Sequence, residues 1–387
     1  IPFPEGCRMG NISSMIVENI SPKDITYRYY NKESEFVDPY SGRLLGNEQF
    51  GMKTFGKYEL FSAVDTSDFD WGNDRILCTP FSESILYLLH VRGFTKSPTS
   101  KVKHPGTFLG IVEKIPYLKD LGITALELLP CYEFEESVPK KEENHYPDHL
   151  TLPAEEKVNY WGFKEGFYFA PKASFAATDD PCTEMRTFVK EMHSSGIEVI
   201  MQLYFPDGAK AGMIQDVLRH WVLNYHIDGF HLKGNKIPIV LLSTDPLLAN
   251  TKIFYDYIPE EEIYPANMRP KYKNLCIYSD EYMHQMRKFL KADPDMLSRF
   301  IRLEKQIPER TGIVNFITNY YGFTLNDLYS YDTKHNEANG EDNRDGCASN
   351  YSWNCGAEGK TRKKSILQLR MRMMKNALLC LLFSGGT

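Results

Sequence analysis

The stretch Ile197-Glu198-Val199-Ile200-Met201-Gln202-Leu203-Tyr204-Phe205, followed by Ala211 to Tyr225 and then Ile227-Asp228-Gly229-Phe230-His231-Leu232, decides the fold. Two short apolar runs flank a segment whose apolar residues recur at helical spacing, which reads as strand, helix, strand. The same alternation continues outward. Upstream, Thr183 to Ser194 is helical and stops at Gly196, Ile123 to Leu129 is strand-like and closed by Pro130, and Phe108 to Leu121 is helical and ends at Gly122. Ile85 to Val91 reads as the first strand; downstream, Lys252 to Tyr255, Leu275 to Tyr278, Ile313 to Thr318 and Leu378 to Phe383 complete the set. Eight such strands separated by helical stretches predict a parallel sheet and fit an α/β (β/α)8 TIM barrel. A doubly wound open sheet also alternates, but no Gly-rich phosphate turn follows the first strand.

Residues 1–65 differ: Ile16-Val17, Thr26 to Tyr30 and the turn-rich Asp38-Pro39-Tyr40-Ser41-Gly42 predict a small β module without helices. Phe61 to Pro80 blurs its boundary, so the division is 1–65 module, 66–83 linker and 84–387 barrel, with the eighth strand at its end. The chain starts at Ile1 without methionine and stops just after a strand-like run, and reads as a fragment of something longer.

Composition narrows the function. With 387 residues, 42% hydrophobic and 25% charged, a disordered tail, a collagen-like chain and a coiled coil are excluded. Net charge is −6 and the only basic cluster is Arg362-Lys363-Lys364, which gives no footing for nucleic acid. The longest apolar run, Ala377 to Phe383, is far short of the roughly 18 residues a membrane span needs. Eight scattered cysteines without CxxC or zinc spacing predict reduced thiols, a cytoplasmic setting and no metal; nothing implies a cofactor. The 24 Tyr and 23 Phe residues suit either a large core or a cleft that stacks ring-shaped ligands.

In a barrel, functional groups sit at the C-terminal ends of the strands. There the sequence offers Tyr204-Phe205-Pro206-Asp207, His231-Leu232-Lys233, Tyr255-Asp256-Tyr257 and Asn319-Tyr320-Tyr321. Six segments then carry a resemblance: His104 to Gly110, Leu121 to Pro130, Asn159-Tyr160-Trp161-Gly162, Gly322 to Asp327, His335 to Gly340 and Asn350 to Gly356. From about Tyr30 to Thr387 the chain resembles the glycogen- and starch-debranching enzymes of glycoside hydrolase family 13, the isoamylase and pullulanase types. Asp38-Pro39-Tyr40 resembles the end of a family 48 carbohydrate-binding module.

The resemblance implies a retaining mechanism on α-glucans: an aspartate nucleophile after strand four, a glutamate acid after strand five and a second aspartate after strand seven. At those positions the chain holds Lys233 for the nucleophile, Asp256 for the acid and Tyr321, next to Tyr320, for the transition-state aspartate. His231 replaces the arginine; Gln202, Pro206 and Asp207 replace the third-strand Asp and its Asn-His partners. No intact catalytic set is therefore expected, since an oxocarbenium-like transition state wants carboxylates around it.

Each residue also has a plainer reading. Lys233 as a Schiff-base nucleophile competes with a lysine paired to Asp256 or Asp207, and His231 as a base competes with a hydrogen-bonded cleft residue. Tyr160 and Trp161 suit sugar stacking or core packing equally. Asp207, His231, Asp256, Tyr320 and Tyr321 complete the substrate-binding candidates, while Asn350, Trp353 and Asn354 read as structural or distal loop residues. The expected function is non-catalytic, α-glucan-binding or regulatory, with glycogen, starch or branched maltodextrin and an active debranching relative as partners, and neither nucleic acid nor membrane. Two alternatives stay open: an active hydrolase using Asp256 with Asp207 or Glu260, and a barrel acting only through protein contacts.

Overall fold

The computed structural model describes residues 1–4, 6–10, 12–31, 34–51, 60–138, 157–266, 268–339 and 342–386. Two compact units emerge: residues 1–74, 90–114 and 129–191, and residues 75–89, 115–128 and 192–387.

The first unit is built from short antiparallel pieces. Phe61–Ala63 lies between Thr26–Tyr27 and Arg43–Leu45, and Tyr29–Tyr30 pairs with Glu35–Phe36. Phe167–Pro171 pairs with Tyr132–Glu133. Ile16-Val17, expected as a strand, has no regular structure. A wholly buried lysine organises this unit: Lys172 Nζ lies 2.5 Å from Glu133 and 2.7 Å from Glu136 and donates to the Phe134 carbonyl at 2.9 Å. Two carboxylates and a carbonyl satisfy all three ammonium protons, the condition for tolerating a charge at zero exposure.

The second unit carries seven described parallel strands: β1 Leu86–Leu89, β2 Ala125–Leu128, β3 Glu198–Tyr204, β4 Gly229–Lys233, β5 Lys252–Tyr255, β6 Leu275–Tyr278 and β7 Gly312–Val314. They follow one another in the sheet in chain order. Such strands are covered on both faces, which explains why their sequences are continuous apolar runs. Ala125, Ile200, Phe254, Cys276, Tyr278 and Val314, one or two from each of five strands, fill the interior with Phe81 and Phe316. A single buried Phe there contributes about 1.5–3 kcal/mol. The ring of Phe81, just before β1, packs on Gly312 at the start of β7, where a Cβ would come within 2.6 Å of it. The sheet thus curls toward closure as a truncated TIM barrel.

Two further segments differ from their expected structure. Leu378 to Phe383 is not an eighth strand: it ends a 20-residue helix, Lys364–Phe383. Ile366, Leu369, Met373, Ala377 and Cys380 fall three or four residues apart and pack against Tyr282, Met286, Leu303 and Leu328, so helical periodicity governs the whole segment. Read alone, its last six residues have the length and apolarity of a strand. Phe108 to Leu121 is two helices, Phe108–Val112 and Ile115–Asp120. Pro116 lacks the N–H needed to continue the first turn into the second, and a proline is tolerated only near a helix start.

Candidate functional site

Glu127 is the hub of the strand ends. It stands third in β2, inside the apolar run Ala125-Leu126-Glu127-Leu128, and is 1% exposed. β3 and β4 run in register, Gln202 beside His231, so both side chains reach the same carboxylate. Gln202 Nε2 donates to Glu127 Oε1 at 2.6 Å, and His231 Nδ1 lies 2.5 Å from the same oxygen. Tyr278 at the end of β6 donates to Oε2 at 3.3 Å, and its ring stacks on His231 with centroids 4.0 Å apart. Burial alone would lift the Glu127 carboxyl; His231, the Gln202 amide and Lys233 outweigh it and hold the group below its ordinary range. Burial holds His231 below 6.5 despite Glu127 beside it. The state consistent with both is an ionised Glu127 accepting from a neutral His231. Among the described residues, Nε2 of His231 and Oε1 of Gln202 are buried and have no hydrogen-bond partner.

Above this layer lie the predicted positions. Lys233, the last residue of β4, lies 3.9 Å from Asp256, with its side chain 23% exposed against 67% for the aspartate. Asp256 is thus largely solvated, and the lysine's paired reading fits the geometry better than a reactive amine. Lys233 Nζ also stands 5.5 Å from the centre of the Tyr278 ring. Tyr321 donates its phenol hydrogen to Asp280 and meets Tyr320 edge to face at 5.2 Å. Burial pushes both phenols far up, Asp280 adding to the shift of Tyr321. Asp207 is exposed and accepts from Asn235 Nδ2 at 3.1 Å. Glu260 opens a one-turn helix and accepts from Thr311 at 2.7 Å.

Tyr160 and Trp161 belong to the first unit. Tyr160 stacks on His90 at 4.2 Å, accepts from its ring through the backbone carbonyl at 2.7 Å and meets Trp161 at a right angle. Tyr160 is therefore committed to packing, while Trp161 stays 42% exposed. Asn350 accepts from the Phe323 N–H at 3.1 Å and donates to the Cys347 carbonyl, and Asn354 donates to Asp332 at 2.6 Å, so both hold loops together. Arg370 fastens the same loops from the long helix, donating to the carbonyls of Gly359 at 2.8 Å and Asn354 at 3.1 Å.

Reading strand ends alone passes over Glu127, Tyr278 and Asp280. The available signal is the single carboxylate in the otherwise apolar Ala125–Leu128, because a charge in a doubly covered strand needs a partner inside the sheet.

No family model matches the chain. Among solved structures it resembles, in fold, a pullulanase from Paenibacillus barengoltzii, with a TM-score of 0.59 and 17% identity over 93% of this chain and 62% of that one. The same enzyme in complex with maltohexaose and alpha-cyclodextrin gives a TM-score of 0.58 at 17% identity, covering 92% and 70%. In sequence, it is 30% identical to isoamylase 3, chloroplastic, of Oryza sativa subsp. japonica over 98% of this chain and 59% of that protein. It is 30% identical to a glycogen operon protein GlgX homolog of Mycobacterium tuberculosis over 91% of this chain and 60% of that protein. Its relatives in sequence are isoamylases and GlgX glycogen-operon proteins, and its neighbours in fold are pullulanases, a pattern consistent with the debranching enzymes of glycoside hydrolase family 13. It spans about three fifths of the length of these curated relatives. Among the described residues, no helix is long and apolar enough to cross a membrane.

Proposed function

We propose that the chain is a non-catalytic member of the debranching enzymes that binds α-glucan and serves an active relative as a regulatory or scaffolding partner. Lys233 carries this reading: it occupies the position that the family resemblance gives to the nucleophile, and its ammonium lies 3.9 Å from Asp256. A protonated amine cannot attack an anomeric carbon. A positive charge ~4 Å from a developing oxocarbenium costs about 4 kcal/mol at an effective dielectric of 20. Tyr321, engaged with Asp280, adds a second non-carboxylate position. Glucan as ligand is supported by the isoamylase and glycogen-operon relatives and by the maltohexaose complex of a pullulanase of like fold.

In this reading residues 1–65 are the remainder of a family 48-type module, 66–83 a linker and 84–387 the barrel. Eight free cysteines favour a reducing compartment such as the cytoplasm, although the plant relatives are named as chloroplastic. The test pairs affinity electrophoresis through glycogen gels with a reducing-end assay on pullulan and glycogen. Retardation without product is the expected result. Migration unchanged at millimolar glucose units removes glucan binding, and product formation abolished by Asp256→Asn establishes turnover instead.

A further inference from the structure

We propose that the Glu127–Gln202–His231–Tyr278 cluster is an acid-sensitive latch on the strand ends, complete only while the His231 imidazole is neutral. An ionised carboxylate can only accept, so the hydrogen shared at 2.5 Å with Glu127 sits on Nδ1 of His231. The next proton must go to Nε2, which is buried and has no partner among the described residues. Protonation there creates a sealed donor with nothing to receive it and a buried cation, the two conditions a protein interior tolerates least. The ring cannot swing out to hydrate the new N–H, because Tyr278 stacks on it at 4.0 Å and the residue is 1% exposed.

Charged and titratable groups face the imidazole from each neighbouring element. Glu127 on β2 favours the cation, and Asp256 after β5 adds weakly in the same sense. Lys233 on its own strand opposes it, while Tyr278 on β6 and Tyr320 after β7 face the cluster as neutral phenols and Gln202 on β3 as an amide. Burial decides the balance, holding the folded-state value below the ordinary 6.5. The sign follows: the unfolded chain takes up this proton near pH 6.5 and the folded chain resists it. The latch's contribution is therefore fully present above that pH and is lost as the pH falls below it.

The test needs no glucan, so its outcome is independent of the function proposed above. Urea unfolding of the full chain is followed from pH 7.5 to 5, beside His231→Asn, which keeps a donor toward Glu127 but cannot titrate. Because His90 and His284 are also held down by burial, the difference between the two proteins isolates His231. Below pH 6.5 the wild type's unfolding constant should rise by up to tenfold per pH unit more than the variant's, the limit for one linked proton. Equal slopes overturn the proposal. If His231→Asn does not fold, NMR titration of the 13C-labelled His231 ring in the wild type decides it. A midpoint clearly below 6.5 supports the latch, and one at or above 6.5 overturns it.

Discussion

The two ends of the parallel sheet are both charged inside, and they solve the problem differently. At the N-terminal ends, Lys252 of β5 lies 2.5 Å from Glu198 of β3 and 3.1 Å from the Ser84 hydroxyl. Asp228 just before β4 accepts from His193 at 2.8 Å and from two backbone N–H groups, those of Leu77 and Val199. Every charge in that layer has an opposite charge or a donor within reach. At the C-terminal ends one carboxylate, Glu127, serves three donors, and two buried acceptors of its partners, His231 Nε2 and Gln202 Oε1, have no hydrogen bond among the described residues. The lower layer is a structural pin. The upper one occupies the level where a barrel carries its chemistry, and among the described residues it leaves buried polar atoms of His231 and Gln202 without partners.

Three substitutions would break or sharpen that contrast. Lys252→Ala leaves Glu198 buried without its cation; destabilisation of about 3–5 kcal/mol by equilibrium urea unfolding is expected. A loss under 1 kcal/mol would show that the lower layer is no pin. Glu127→Gln keeps the shape of the hub and removes its charge, so a smaller loss of about 1–3 kcal/mol is expected in the same measurement. Should it exceed the Lys252→Ala value, the ranking of the two ends reverses. Lys233→Ala removes a long, half-solvated contact to an exposed aspartate, and its effect should stay within about 1 kcal/mol. A larger cost would mean that Lys233 supports the barrel, and that its place at the strand ends answers to folding and not to ligand.

Much of the barrel was legible because apolar runs and helical spacing are local. Lys252–Tyr255, Leu275–Tyr278 and the helix Ala211–Tyr225 fall where the pattern puts them. The last element was not legible. A six-residue apolar run satisfies both periodicities, and only the contacts of Met373 and Ala377 with the neighbouring helices choose the helix. Of the site, the lysine at the end of β4 and a pairing with Asp256 or Asp207 could be foreseen, since adjacent parallel strands set neighbouring ends side by side, and the tertiary structure places it beside Asp256. The hub could not, because Glu127 and His231 are 104 residues apart and no local pattern links them.

The sequence by itself determined seven of the segments that pair into the parallel sheet and which residue types stand at their ends, because both depend on side chains within a few positions of one another. Only the tertiary structure decided which polar groups are sealed together and which keep water. The cost of burying a charge is set by everything within a few ångströms of it, and those neighbours come from strands far apart in the chain.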